Sequence, residues 1–220
     1  MRLAKAAVFL VVVLLTGCGN VTSSPAPTSA TSTTTPKAAT RRLTQQELEA
    51  TLLAIKDLPS GWSRETKTNS TTTSSTNKPG LCGAVPQSTT SKEKADRSFM
   101  RGGGLTVNYA NVQIAQFESP EAAKSAWDPA VRPIADCTSW TDDQGTNWTV
   151  AEMSAPKLGD DSMGVRMQQK SGTAIVYLSR TGPAIVMVTG AGLTDVPTAE
   201  LEMLLKAQVT SYQASLAKQQ

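Results

Sequence analysis

Apolar residues recur at helical spacing soon after residue 42, and the helix that they predict has a recognisable start. Thr44 and Glu47 form a capping box, in which each side chain binds the backbone N–H group of the other residue. Leu48, Leu52 and Ile55 then fall on one helical face. We therefore expect the folded part of the chain to begin with a short amphipathic helix.

Two longer amphipathic helices are expected in the second half of the chain. Ser119-Pro120-Glu121 opens the first with a cap residue, a proline and an acidic residue, and this helix should lead to Cys137. Pro129 lies inside its apolar stripe, so we expect a kink or a break near Asp128. The last helix starts near residues 195–197 and has a continuous apolar face. That face consists of Leu201, Leu204, Leu205, Val209, Tyr212 and Leu216.

The hydrophobic period changes to two residues after Gly102-Gly103-Gly104, which predicts a β-strand. The apolar residues of Leu105–Tyr109 share one face, whereas Val112 and Ile114 are out of phase with them. A β-bulge near residues 110–111 would reconcile the two halves in one long strand. The three glycines lack the Gly-Lys-Ser/Thr sequence of a phosphate-binding loop, so we interpret them as a flexible lead-in to the strand.

Three more strands follow as a meander with turns that contain glycine. They are predicted at Met163–Gln169, Thr173–Arg180 and Ala184–Gly190. The last two are apolar on both sides, so both of their faces should be covered. The pattern predicts an α+β fold, in which an antiparallel sheet of one long strand and a C-terminal meander is flanked by helices. We expect a single domain over residues 43–220.

The start of the chain has the pattern of an export signal. An apolar run of about ten residues, too short to span a bilayer, ends in Leu15-Thr16-Gly17-Cys18. This is the form of a bacterial lipoprotein processing site, in which the thiol of Cys18 takes a diacylglycerol. We expect a lipoprotein signal peptide over residues 1–17 and a membrane anchor on Cys18. A cleaved secretory signal or a short membrane helix with an incidental cysteine is the alternative.

Residues 18–42 are rich in Ser, Thr, Pro, Ala and Val. Such a composition cannot bury enough apolar surface to fold, so we interpret this segment as a disordered tether. Clustered Thr and Ser beside Pro also suit O-glycosylation. A second Ser/Thr tract, at residues 66–77, is expected to form a surface loop.

Cys82 and Cys137 are the two cysteines that remain after Cys18. In a protein exported to an oxidising compartment, we expect them to form a disulfide. The alternative is a reactive or metal-binding thiol pair. The distance between the two cysteines in the sequence and the lack of histidine favour the disulfide.

Composition excludes several functions. The chain has no histidine, so it cannot contain a Ser-His-Asp triad, a Cys-His pair or a histidine metal site. Lysine and arginine are scattered and the formal charge is only +3, so no nucleic-acid partner is expected. Asp160-Asp161 is the one paired acidic motif, but adjacent residues that enter a strand point to opposite faces and cannot act as a glycosidase pair. We expect no catalytic residues, metal or cofactor.

The tryptophans are interpreted as packing residues, with ligand contact as the alternative. Trp62 follows a Pro-Ser-Gly turn and should plug the core. Trp140 and Trp148 flank the turn-rich segment 142–145, and cross-strand pairing would explain both.

Several motifs together resemble a known family. These are Leu58-Pro59-Ser60-Gly61-Trp62, Cys82, the helix with Ala122-Ala123 and Ala126-Trp127 that leads to Cys137, and Leu158-Gly159-Asp160-Asp161-Ser162. In this order, behind a lipoprotein signal and a Thr-rich tether, they resemble actinobacterial (mycobacterial-type) lipoproteins related to the extracellular sensor domain of PknH-type serine/threonine kinases. The resemblance implies an α+β domain with an antiparallel sheet, flanking helices and a cleft for an unknown ligand. It also implies two disulfides in the kinase domain, of which this chain can form one.

The sequence therefore predicts a non-catalytic, sensor-like domain, lipid-anchored to the outer face of the cytoplasmic membrane. It would bind a small molecule, a lipid or an envelope component, at residues that the sequence does not identify. The first alternative is a protein-interaction adaptor for an envelope protein partner, which an exposed apolar patch without a deep pocket would favour. The second is an enzyme, which would need polar residues with shifted pKa values in a cleft.

Overall fold

The structure, a computed structural model, describes residues 42–65, 80–84, 91–193 and 196–218. The predicted signal peptide, Cys18, nearly all of the predicted tether and the predicted loop at 66–77 lie outside these residues. All of the described residues belong to one compact unit, and so do both of their hydrophobic clusters. A unit with its own hydrophobic core is a domain that can fold independently.

The described chain contains eight strands and three α-helices. The strands are β1 Trp62–Arg64, β2 Glu93–Arg101, β3 Asn108–Gln116, β4 Ser139–Thr141, β5 Asn147–Met153, β6 Asp161–Gln169, β7 Gly172–Thr181 and β8 Ala184–Gly192. The helices are α1 Gln45–Thr51, α2 Pro120–Ala135 and α3 Thr198–Ala217. None of the helices in this part of the chain combines the length and the apolar composition that crossing a membrane requires.

All of these strands form one antiparallel sheet, in the order β1-β2-β3-β8-β7-β6-β5-β4. Helices α1 and α3 pack on one face, over a cluster that includes Phe99, Ile114 and Tyr177. Helix α2 packs on the other face, with Trp127 in a cluster that includes Phe117. The α+β class, the antiparallel sheet and the flanking helices are confirmed. Because helices cover both sides, the central strands β7 and β8 are apolar on both faces, as predicted.

The predicted bulge in the long strand is wrong. β3 pairs residue by residue with β2 and with β8 from Asn108 to Gln116, without an extra residue. Tyr109 simply lies on the α2 face, whereas Val112 and Ile114 lie on the α3 face, where they are fully buried. The change of phase in the sequence therefore marks a strand that has an apolar partner on each side.

Other differences concern the elements around the strands. The first helix ends at Thr51, and Ile55 lies in a separate 3-10 turn, where its side chain is 41% exposed. Helix α2 is not broken near Asp128 but runs through Pro129 to Ala135. Two strands, β1 and β2, were not predicted. The capping box of Thr44 and Glu47 is confirmed.

Candidate functional site

Helix α2 leaves part of its face of the sheet open. We name the two ends of the sheet by β3, which runs from the Asn108 end to the Gln116 end. Helix α2 begins shortly after β3 leaves the Gln116 end, and its cluster includes Phe117 and Ile185, which are near that end. At the Asn108 end, the structure has a half-open groove with a cavity volume of about 350 Å³.

We call this cavity the sheet-end groove. Its lining combines two aromatic side chains with small and aliphatic residues from several strands and turns. The lining residues are Val107, Tyr109, Trp148, Gln169, Ser171, Gly172, Thr173, Ala191, Gly192 and Leu193.

Strand pairing explains why a groove forms at this place. Gln169 pairs with Gly172 across β6 and β7, and Tyr109 pairs with Ala191 across β3 and β8. Small residues on the central strands thus form the floor of the groove. The side chains of Tyr109 on β3 and Trp148 on β5 form its two ends. Four strand spacings separate β3 from β5, so the groove spans about 19 Å across the sheet.

None of the described lining residues carries a charged side chain. The polar side chains of the lining are those of Gln169, Ser171 and Tyr109, whereas the Thr173 side chain lies on the α3 face of β7, as those of Ile175 and Tyr177 do. A ligand in the groove would therefore meet a mainly apolar surface with few hydrogen-bonding groups.

Trp148 is fixed by the hairpin that carries it. Its indole Nε1–H donates a hydrogen bond of 3.0 Å to Oδ2 of Asp142, while Oδ1 of Asp142 accepts from the backbone N–H groups of Gln144 and Thr146. The hydrogen bond from Trp148, followed by that from Thr146, holds the pKa of Asp142 below its usual value. Trp140 pairs directly with Trp148 across β4 and β5, so the predicted cross-strand pair is confirmed. In addition, Trp148 lines the groove.

The rim of the groove exposes apolar side chains. Leu193 is 51% exposed and Tyr109 is 43% exposed. Leu105, in the 3-10 turn just before Val107, is 77% exposed. Gly102-Gly103-Gly104 lies in the connection that leads from β2 to β3, and Gly102 and Gly104 have positive φ angles.

The disulfide fastens the helix next to the groove. Cys82 and Cys137 are bonded, with their Cα atoms 6.1 Å apart, as predicted. Cys82 lies in the 3-10 turn Leu81–Gly83, and Cys137 follows α2 directly before β4. Both cysteines pack against the cluster under α2. The bond therefore holds the C-terminal end of α2.

The paired carboxylates form an ion cluster where β6 begins and β7 ends. Contrary to the prediction that they point apart, Asp160 and Asp161 both contact Arg180 of β7. The Arg180 guanidinium donates to Oδ2 of each, and the backbone N–H of Gly182 also donates to Asp160. Asp160 precedes β6, so the alternation of side chains along the strand does not determine the direction of its side chain. The pair holds the start of β6 against the end of β7.

Trp62 is a packing residue, as interpreted from the sequence. It is buried, its indole N–H donates 2.9 Å to Glu200, and the Arg101 guanidinium lies 5.1 Å from its ring centroid. Arg101 also donates to both carboxylate oxygens of Glu200. Although burial raises the pKa of Glu200, the hydrogen bonds from Arg101 and Trp62 outweigh it and lower that pKa.

A second surface groove lies between α3 and the segment that follows α1. Its volume is larger, about 530 Å³, but it is more open and it includes the charged residues Asp57 and Lys206. Among the described residues, no group of three or more acidic or cysteine side chains could hold a metal ion.

The residues of the sheet-end groove were not identified from the sequence, apart from Trp148 as an open alternative. The sequence contains one signal for the groove, the small residues Gly172 and Ala191 in strands that also contain large apolar residues. That signal becomes informative only once the strand order places them between Tyr109 and Trp148.

Together these features define the class of the protein: an α+β domain with a single antiparallel sheet and a groove, at one end of the face that α2 covers, whose described lining residues are uncharged. Neither a family model nor a curated relative matches the sequence. Among solved structures, the extracellular domain of PknH from Mycobacterium tuberculosis is similar, with a TM-score of 0.55 and 12% identity over 80% of this chain and 99% of that domain. An uncharacterized protein from Mycobacterium smegmatis has a TM-score of 0.40 and 18% identity over 54% of this chain and 64% of that one. The chain thus has the fold of the PknH extracellular domain, as the resemblance implied.

Proposed function

We propose that this chain is a lipid-anchored cell-envelope protein whose domain binds a small molecule, a lipid or another envelope component in the sheet-end groove. Its role is that of a sensor-like or accessory protein without catalysis. The observation that carries the proposal is the groove itself, a cavity with uncharged described lining residues on the part of the sheet face that α2 leaves open. Its volume of about 350 Å³ lies at the lower end of the range for small-molecule sites.

Three observations support a location outside the cytoplasm. The sequence Leu15-Thr16-Gly17-Cys18 fits lipoprotein processing. The Cys82–Cys137 disulfide suits an oxidising compartment. The solved domain with the same fold is described as the extracellular domain of PknH.

The position of the groove also fits a tethered binding domain. Leu43, at the start of the described chain, is bound by Gln116 at the Gln116 end of the sheet. The groove lies at the other end of β3, about 27 Å away for a nine-residue strand. A tether that precedes Leu43 would therefore leave the entrance of the groove free for a ligand.

The charged side chains next to the core support binding rather than catalysis. Arg180 is engaged by Asp160 and Asp161, and Arg101 is engaged by Glu200. These pairs connect neighbouring elements of the fold and lie outside the groove lining. A general acid or base would instead have to face the ligand.

An adaptor that binds an envelope protein is the second candidate. The observation that favours it is the exposed apolar rim, where Leu105 is 77% and Leu193 is 51% exposed. A partner protein could bury both side chains at once. The two candidates differ in whether the groove retains a small ligand.

Native mass spectrometry of the domain tests this choice. Ala38–Gln220 is incubated with an extract of its own cell envelope, repurified and weighed without denaturation. We expect an added mass that survives repurification and disappears in the variant Ala191→Phe, whose new ring fills the floor of the groove.

The control is Ala151→Phe, the same change at an exposed position of β5 outside the lining. It should keep the added mass. If neither the parent domain nor the control retains any small molecule, the binding proposal is wrong and the adaptor is favoured.

A further inference from the structure

The described residues of the groove lining carry no charge, which restricts the chemistry of the ligand. A charged group placed there would lose its hydration without gaining an ion pair, because the ten lining residues include no acidic or basic side chain. A sugar or a peptide would bring many donors and acceptors to a surface that offers three polar side chains, those of Gln169, Ser171 and Tyr109. A hydrocarbon chain loses nothing by the same transfer.

The shape of the groove favours a long ligand. It extends across β8, β7 and β6 between Tyr109 and Trp148, about 19 Å apart by strand spacing. Side chains do not fill the floor between them, because Gly172 carries no side chain and Ala191 carries only a methyl group. A flexible chain can lie along such a floor and contact it over its whole length.

The aromatic side chains add apolar surface at both ends. The N–H group of Trp148 is already bound to Asp142, so its ring offers the ligand an apolar surface. Leu193 borders the groove and remains half-exposed, which leaves room for a covering contact with a bound chain.

We infer that the sheet-end groove binds the hydrocarbon chain of a separate amphiphile, whose head group stays in solvent. This inference rests on the proposed function and names the ligand class. Because the described lining residues carry no charge, the head group contributes little to affinity. Because the contacts are apolar, affinity rises with chain length.

A fluorescence displacement assay measures both properties. Ala38–Gln220 is loaded with the neutral probe N-phenyl-1-naphthylamine, and the probe is displaced by fatty acids of ten to sixteen carbons and by monopalmitoylglycerol. We expect about a twofold gain in affinity per added methylene, since roughly half of a fully buried methylene's effect is available in an open groove. Palmitate and monopalmitoylglycerol should displace the probe within about threefold of each other, because a surface without charges does not distinguish their head groups.

Two variants place the binding in the groove. Ala191→Phe should lower palmitate affinity at least about tenfold by filling the floor, and Leu193→Asp should do the same by setting a carboxylate beside the chain. Ala151→Phe should leave the affinity unchanged. Thermal unfolding of each variant identifies any that fails to fold.

The outcomes separate this inference from the proposed function. If chain length has no effect, or both groove variants fold and still bind palmitate, the inference is wrong. If the domain retains an extract molecule in native mass spectrometry that is polar, such as an oligosaccharide or a peptide, the proposed function stands while the hydrocarbon inference is overturned. Failure of both assays overturns both.

Discussion

The side-chain amide of Gln116 pairs with the backbone of Leu43, 73 residues earlier in the chain. Its Oε1 accepts from the Leu43 N–H at 3.1 Å, and its Nε2 donates to the Leu43 carbonyl at 2.7 Å. The Tyr212 hydroxyl donates to the same Oε1 at 2.9 Å, so one buried glutamine joins β3, α3 and the start of the domain. Gln208 of α3 makes the same kind of contact at the other end of α1. Its Oε1 accepts from the Leu53 N–H, and its Nε2 donates to the Thr51 carbonyl.

Replacing Gln116 with leucine should destabilise the domain strongly. The change leaves the N–H and C=O groups of Leu43 and the Tyr212 hydroxyl buried without partners, at about 1–3 kcal/mol for each group that water does not reach. We expect a loss of about 3 kcal/mol in the free energy of unfolding, measured by urea denaturation. Gln113→Leu, on the same strand but partly exposed, is the control and should cost little. A loss below about 1 kcal/mol in Gln116→Leu would contradict the role of the amide.

Removing the disulfide should destabilise the domain without preventing the sheet from forming. The bond closes a loop with a sequence separation of 55, which in the chain-entropy model stabilises the folded state by about 4 kcal/mol. We expect the double variant Cys82→Ala and Cys137→Ala to unfold at a lower urea concentration, with a free energy of unfolding about 4 kcal/mol below that of the parent. Reductant should have the same effect on the parent domain and none on the double variant, which serves as the control. Equal free energies of unfolding for the reduced and the oxidised parent domain would contradict the predicted stabilisation by the disulfide.

The stability of the domain should depend on pH through Glu200. The pKa of Glu200 is lowered in the folded state by its hydrogen bonds to Arg101 and Trp62 and its attraction to Arg101, which outweigh the opposing effect of burial. Its carboxylate therefore contributes stability that is present above the unfolded pKa of about 4.3 and is lost as pH falls through the lower folded pKa. Glu200→Gln should cost about 1–2 kcal/mol at pH 7 and progressively less below pH 4.

Urea denaturation from pH 7 to pH 3 measures that difference. Glu152→Gln, at an exposed position of β5, controls for the loss of one negative charge and should follow the parent protein. A difference between Glu200→Gln and the parent that stays constant over this range would show that the interaction does not depend on ionisation.

The sequence predicts those elements of the fold whose own residues show a clear hydrophobic period. Helix α3 and the meander of β6, β7 and β8 have clear periodicity, and the elements were predicted within a few residues. β2 was missed because its inward face contains Arg97, which breaks the apolar alternation. In the folded domain, that guanidinium donates to the Leu52 and Leu53 carbonyls and so caps the end of α1.

The groove could not be predicted because it is a property of strand order. Tyr109 and Trp148 are 39 positions apart in the sequence, and they come to stand on the same face only when β8, β7 and β6 are placed between β3 and β5. Gln116 and Gln208 were missed for a related reason. A polar residue in an apolar pattern predicts an exposed position, whereas the partners of these two glutamines are backbone groups at the two ends of α1, far away in the sequence.

Membrane attachment should depend on Cys18 alone among the cysteines. If the thiol of Cys18 carries the lipid, Cys18→Ala removes the acceptor and should move the protein from the membrane fraction to the soluble fraction. The control is Cys82→Ala, which removes a thiol that the disulfide occupies and should leave the protein in the membrane fraction. Fractionation followed by intact-mass measurement checks both, since only the parent and the control should carry the added mass of a diacylglycerol. Retention of Cys18→Ala in the membrane fraction would show that another segment holds the protein there, and the proposed anchor would be wrong.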